Sequence, residues 1–282
     1  MIPELACAVL SYRDEPHLVD AVRSVLEQDE PVEVVVVNSG GGDPAGRLAA
    51  AGLDVPVYSL AERLFPGAVR NIGIDRTSAR YVSFLAADCL AEPGWAAGRL
   101  RAHRAGAAAV ASAITNPYRH SSTAWASLML QHNRRLLVTN PRQRLYYSLS
   151  YDRALFERFG RFREELRAGE DTEFNARFRD HATTVLSPDA LTAHRYPTEL
   201  STMLHDAFRR GRLQARMQGR IRGTGPQRLR VAIAAPRNVV RSLIVSLRSP
   251  RADRGPMLRA LPLVVLGASA YSLGGLTAKH DE

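Results

Sequence analysis

Val32-Glu33-Val34-Val35-Val36-Val37-Asn38-Ser39-Gly40-Gly41-Gly42-Asp43 decides the fold of this chain. Four consecutive valines are apolar on both sides of an extended backbone, which suits a central strand covered on both faces of a parallel sheet. The Asn-Ser-Gly-Gly-Gly-Asp run then breaks the strand with residues that turn the chain. Upstream, residues 5–10 form another apolar run. Between the two, Leu18, Ala21, Val22, Val25 and Leu26 follow the spacing of a helix with one apolar face. Downstream the alternation continues with a short Ala/Leu helix, a strand at 55–60 and a helix starting near Gly67. A strand at 81–85, a helix opened by Pro93-Gly94-Trp95 and a strand at 107–113 complete it. Strand and helix in turn, with short loops, predict an α/β, Rossmann-like, doubly wound and mostly parallel sheet with right-handed crossovers. Ligands of such sheets sit beyond the carboxyl ends of the strands, where Ser11, Asn38 and Asp88 fall.

After Ser121 the pattern changes. Residues 124–138 read as a helix, and 145–151 as a strand returning to the sheet edge. Residues 164–179 hold an acid pair and a helix, 200–218 a long basic helix, and the Gly/Arg-rich 220–227 a linker. The expected division is a catalytic domain over 1–219 and a basic, helical appendage over 220–282. The chain has 282 residues and a net charge of +10, unevenly placed. Residues 1–194 carry 22 arginines against 23 acids, whereas 195–260 carry 15 arginines against Glu199, Asp206 and Asp253. Two cysteines, Cys7 and Cys89, make no disulfide framework, and a reducing cytoplasm is the expected compartment. Met1-Ile2-Pro3-Glu4 lacks the basic residues of a signal peptide.

The chemistry concentrates in a few places. Asp88 closes the apolar run Phe84-Leu85-Ala86-Ala87, where a carboxylate is placed to hold a divalent ion against a diphosphate. On its own it reads better as a turn or capping aspartate. Arg70-Asn71 near a helix start can face a diphosphate. Glu170-Asp171, after Gly169, can supply a general base and its neighbour, or simply an acidic first helical turn. His194 can complete a metal shell, although a lone histidine is more often structural.

The order of these elements resembles the family 2 glycosyltransferases of the GT-A fold over residues 5–211. Ala8-Val9-Leu10-Ser11-Tyr12-Arg13 is similar to that family's first strand and nucleotide-contacting turn. Val36-Val37-Asn38-Ser39-Gly40-Gly41-Gly42-Asp43 is similar to its second strand and loop, and Arg70-Asn71-Ile72-Gly73 to its Arg-Asn-X-Gly element. Phe84 to Asp88 is similar to its Asp-X-Asp region. Phe159-Gly160-Arg161-Phe162 with Gly169-Glu170-Asp171 is similar to its acceptor-side motif. The resemblance implies inverting transfer of a sugar from a nucleotide donor, a UDP-sugar foremost, to a hydroxyl of a glycan or lipid-linked acceptor. Asp171 would be the base with Glu170 beside it, and Ser11, Tyr12, Arg13, Asn38, Ser39, Arg70 and Asn71 would contact the donor. Asp88, with His194, would hold Mg²⁺ or Mn²⁺. Two positions depart from the pattern: Ala86 stands where the first acid of Asp-X-Asp belongs, and Asn38-Ser39 where relatives carry aspartates. These departures keep a rival open, a degenerate GT-A domain acting as a scaffold.

The C-terminal third mixes Val, Ile and Leu with Arg237, Arg241 and Arg248, and residues 260–278 carry no charge. A basic amphipathic helix followed by a weakly apolar one predicts docking to an anionic membrane surface, which would place the protein on the inner face of the plasma membrane. Nucleic-acid binding is disfavoured, because almost no aromatics accompany these arginines.

Overall fold

The computed structural model describes residues 3–136, 148–222 and 227–278. The chain divides into two compact units, Met1–Thr115 with Pro141–His194, and Asn116–Asn140 with Arg195–Glu282.

The first unit is an eight-stranded mixed sheet with helices on both faces. Its strands are β1 (Leu5–Tyr12), β2 (Val32–Ser39), β3 (Val57–Leu60), β4 (Tyr81–Ala86), β5 (Cys89–Ala91), β6 (Ala109–Thr115), β7 (Ser150–Asp152) and β8 (Thr184–His194). The spatial order is β3-β2-β1-β4-β7-β6-β8-β5. The first four are parallel, β7 runs against both β4 and β6, β8 is parallel to β6, and β5 runs against β8.

The valine run is buried as its composition requires, and β1 shows how the sheet is sealed. Leu5, Cys7 and Val9 join one apolar cluster while Ala6 and Ala8 join another, as the two-residue period of a strand dictates. The first cluster takes α1 (Leu18–Leu26), α2 (Pro44–Ala50) and α4 (Trp95–Arg104); the second takes α3 (Pro66–Asp75), α6 (Ala154–Phe159) and α7 (Glu170–Phe178). Tyr151, Phe156, Phe162, Phe174 and Phe178 stack in the second cluster, with Phe156 and Phe174 rings 4.8 Å apart. Truncating one such buried ring costs about 3–5 kcal/mol.

Two features depart from the sequence reading. The strand expected at the sheet edge is central: Ser150–Asp152 lies between β4 and β6, and its buried Ser150 hydroxyl bonds His103 Nε2 at 2.8 Å. Residues 145–147 of that expected strand lie outside the described residues. The β5–β8 pair was not foreseen. Pro188 and Asp189 interrupt any strand pattern in β8, and the sheet accommodates them by a register shift opposite Ser112 and Ala113.

The second unit is helical: α5 (Ser122–His132), α8 (Leu200–Arg222), α9 (Gln227–Arg248) and α10 (Arg251–Leu276). Of the linker expected over 220–227, residues 220–222 belong to α8 and Gln227 opens α9, while 223–226 lie outside the described residues. Here α8 and α10 approach backbone to backbone. A Cβ on Gly211 would lie 1.9 Å from the Tyr271 carbonyl oxygen, and one on Gly274 would lie 2.0 Å from that of Phe208.

Candidate active site

Parallel pairing brings the strand ends of the first unit to one side. Ser11 of β1 lies opposite Asn38 of β2, and Leu10 lies opposite both Val37 and Ala86. The loops that follow are tied together. The Arg13 amide donates to the Ser39 carbonyl at 2.9 Å, and Asp14 Oδ1 accepts from the Asp43 amide at 2.9 Å. Gly40, Gly41 and Gly42 all have positive φ, and a Cβ on Gly40 would lie 2.7 Å from the Tyr12 ring, so this loop needs glycine. Tyr12 is exposed, with the Arg13 and Arg63 guanidinium carbons 5.1 and 5.4 Å from its ring centre. Arg63 was not anticipated from the sequence.

Asn38 is fully buried; its Nδ2 donates to the Gly41 carbonyl at 2.7 Å and to Ser59 Oγ at 3.1 Å. Its Oδ1, and the Ser11 hydroxyl on the neighbouring strand, are buried and have no partner among the described residues. Buried polar atoms left unsatisfied are costly, and here two lie on register-partnered residues at neighbouring strand ends.

The next strand end carries Asp88. The chain turns directly into β5, where Cys89 is the register partner of His194 on β8. His194 Nε2 comes within 3.7 Å of Asp88 Oδ2, and single ligand atoms of Asp88, Cys89 and His194 all lie within 4.8 Å of one another. A carboxylate oxygen, an imidazole nitrogen and a thiol sulfur can share one divalent ion, whose ligands sit about 3–4 Å apart. The donor set therefore fits a metal with little movement. The third donor is Cys89, which the sequence reading did not assign; its place beside Asp88 was visible, but its pairing with His194 depends on β8. Ala86, standing where an acid was missing, is exposed at the end of β4.

The acid pair divides. Glu170 is buried and ion-paired with Arg70, whose guanidinium also lies over the Phe84 and Phe162 rings at 5.7 Å each. Asn71 Nδ2 donates to the Phe162 carbonyl at 3.0 Å and to Glu164 Oε1 at 2.8 Å, while Oδ1 accepts from the Phe162 amide at 3.1 Å. The sequence reading, which gave Arg70 and Asn71 to the donor and Glu170 to the chemistry, did not foresee these contacts. These contacts pin α3 to α7 and to the segment leading into it. Gly73 completes the motif, since a Cβ there would meet Ala8 Cβ at 2.5 Å. Asp171 is left half-buried at the start of α7, its Oδ1 accepting from the Thr172 amide at 2.7 Å. The buried Tyr151 hydroxyl donates to Asn175 Oδ1 at 3.2 Å. Burial, and then the charge of Asp171, push the Tyr151 hydroxyl well above its ordinary pKa.

The family model for glycosyl transferase family 2 matches residues 7–163, more than half of the chain. The chain belongs to glycosyl transferase family 2. The matched stretch covers the strand ends at Ser11, Asn38 and Asp88 and stops before Asp171 and His194. Among solved structures, this family 2 chain is similar to S. aureus TarS 1–349, at 18% identity and a TM-score of 0.54 over 95% of this chain and 89% of that one. A TarS 1–349 complex with UDP-GlcNAc aligns at 17% identity and a TM-score of 0.55 over the same shares. The mannosyltransferase PcManGT from Pyrobaculum calidifontis, in complex with GDP-Man and Mn²⁺, aligns at 16% and 0.58 over 98% and 88%. At these identities the likeness speaks for the fold, which is the GT-A fold expected from the sequence. Comparison with curated proteins gave no match.

Proposed function

We propose that this glycosyltransferase moves a sugar from a nucleoside-diphosphate donor to an acceptor hydroxyl with inversion, and that Asp171 is the base. The reading rests above all on one observation: Asp88 and His194, 106 positions apart, meet at the end of β4. Asp88, His194 and Cys89 would hold a divalent ion, and such an ion supplies charge neutralisation to the departing diphosphate. Mn²⁺ is a reasonable occupant, because PcManGT carries Mn²⁺ with GDP-Man. Tyr12 with Arg13 and Arg63 offers a ring and two cations to the nucleotide. The free Asn38 Oδ1 accepts a base N–H, and the Ser11 hydroxyl lies next to it. A UDP-sugar fits this arrangement, as TarS binds UDP and UDP-GlcNAc.

Arg70 and Glu170 then act by position. Their ion pair fixes the start of α7 and so directs Asp171. Asp171 would accept the proton of the acceptor hydroxyl as its oxygen attacks the anomeric carbon and the C–O bond to the diphosphate breaks. The acceptor is taken to be a glycan or a lipid-linked intermediate.

A panel of nucleotide sugars, with and without Mn²⁺, tests the reading by thermal stabilisation and product formation. A true donor at a hundredfold excess over its dissociation constant should add about 3 kcal/mol. A flat response across the panel would favour a non-catalytic GT-A domain.

A further inference from the structure

Two helices of the second unit are built inside out. In α9 the buried face holds Ser242, Val245 and Ser246, with Ser249 just past its end, while Ile233, Val240, Leu243, Ile244 and Leu247 are exposed. Leu247 is 53% exposed beside Ser246 at 0%. The buried serines bond inward: Ser246 Oγ donates to the Ser242 carbonyl at 2.8 Å and lies 3.4 Å from Met129 Sδ. In α10 the buried face holds Ala260, Gly267, Ala268, Gly274 and Gly275 with two larger residues, Met257 and Val264, while Val265, Leu266, Leu273 and Leu276 are exposed. Water selects the reverse arrangement, with aliphatic side chains inside and serine outside. Small and hydroxyl residues inside with aliphatic residues outside is what hydrocarbon selects, because close helix packing and satisfied hydroxyls then hold the helices together.

At about 100° per residue, the exposed aliphatic residues of α9 fall within an arc of roughly 100°. Arg237, Arg241 and Arg248 follow along one edge of that arc. In α10 the exposed Arg251, Arg254 and Arg259 precede the exposed aliphatic stretch. The cations thus border the apolar faces, where guanidinium heads reach phosphates while their stems lie on apolar surface.

We propose that the exposed faces of α9 and α10 seat the chain side-on in the headgroup layer of an anionic bilayer. Among the described residues, α10 alone is long and apolar enough to cross a membrane. Side-on seating accounts for more: it uses both helices and leaves the arginines along α9 at the surface, whereas a span of α10 explains only one helix. Helices lying in this way bury their apolar face about 5–10 Å deep. The inference rests on the second unit alone, so the sugar-transfer reading stands or falls separately.

Flotation of the full chain with phosphatidylcholine vesicles, with and without phosphatidylglycerol, tests it. The chain should float with the anionic vesicles. Leu243→Gln with Leu247→Gln, or Leu266→Gln with Leu273→Gln, should weaken partition by about tenfold or more. Because these side chains are exposed, circular dichroism and melting temperature should be unchanged. Arg237→Gln with Arg248→Gln should reduce the preference for anionic vesicles and its salt sensitivity. A fluorophore on Ile244→Cys should shift to the blue with anionic vesicles, and one on His205→Cys should not. Failure to float with either vesicle, or equal flotation of the leucine variants, overturns the proposal. So does a dimer in light scattering that the leucine variants dissociate while vesicles leave it intact.

Discussion

Arg70 of α3 and the buried Glu170 of α7 form a largely buried ion pair across 100 positions of sequence, and the residue after Glu170 is Asp171. The pair separates two neighbouring acids by environment, since one is neutralised inside the unit and the other is left at its boundary. Removing one member of a buried pair leaves an uncompensated charge, which costs about 3–5 kcal/mol. Glu170→Gln should therefore lower the unfolding free energy read from urea denaturation by about that amount, and Arg70→Met with Glu170→Gln should recover part of it. Asp171→Asn should leave the midpoint and donor binding close to those of the parent while lowering turnover by about 10²–10⁴-fold. Equal stability losses for the two single variants would dissolve the distinction.

The donor set of Asp88, Cys89 and His194 contains a single carboxylate. A thiolate and an imidazole favour softer ions, so Co²⁺, Zn²⁺ and Cd²⁺ should bind more tightly than Mg²⁺. Co²⁺ titration should raise a thiolate-to-metal absorption band, and Cys89→Ser should remove that band. Ala86→Asp should add an oxygen ligand at the exposed end of β4 and shift preference toward Mg²⁺ and Mn²⁺. A Co²⁺ spectrum identical in the parent and Cys89→Ser would exclude sulfur from the shell.

His103 predicts a slope of stability with pH. Its Nδ1–H donates to the Ala107 carbonyl and its Nε2 accepts from the Ser150 hydroxyl, both at 2.8 Å, and the ring stacks on Tyr81 at 4.1 Å. Burial lowers its pKa from 6.5 to about 4. Between those values the unfolded chain takes a proton that the folded chain refuses. Stability is thus full above pH 6.5, falls as the pH drops, and has lost this contribution by about pH 4. The interval corresponds to about 3 kcal/mol as an order of magnitude. Urea midpoints across this window should show the slope, and His103→Gln should flatten it even if its absolute stability is lower.

The parallel half of the sheet was legible because each strand is a local apolar run. Residues 32–37 needed nothing distant to be read as a central strand. The β5–β8 pair was hidden, since three residues of β5 carry no period and Pro188 disrupts that of β8. The grouping of Asp88, Cys89 and His194 depends on that hidden pair, so the sequence offered Asp88 and His194 as candidate ligands and gave no sign that Cys89 joins them. For Arg70 and Asn71 the sequence gives no sign of their contacts with Glu170, Phe162 and Glu164, because those partners lie some ninety to a hundred positions away. In the C-terminal third, composition showed arginines among aliphatic residues, but only the packing shows which face is exposed.

The glycines of the second unit give a test in which two effects oppose. In a helix interior alanine is favoured over glycine by about 1 kcal/mol. Gly255 of α10 has open space around it, with only Arg259 Nη1 at 3.9 Å from a built Cβ, so Gly255→Ala should raise the urea midpoint. Gly211 of α8 has the Tyr271 carbonyl oxygen 1.9 Å from the same position. That neighbour is backbone and cannot rotate away, so the helices must separate, and overpacking of this kind costs about 1–3 kcal/mol. Gly211→Ala should therefore lower the midpoint despite its better helix propensity. Stabilisation by both substitutions would mean that α8 and α10 do not approach as closely as their glycines permit.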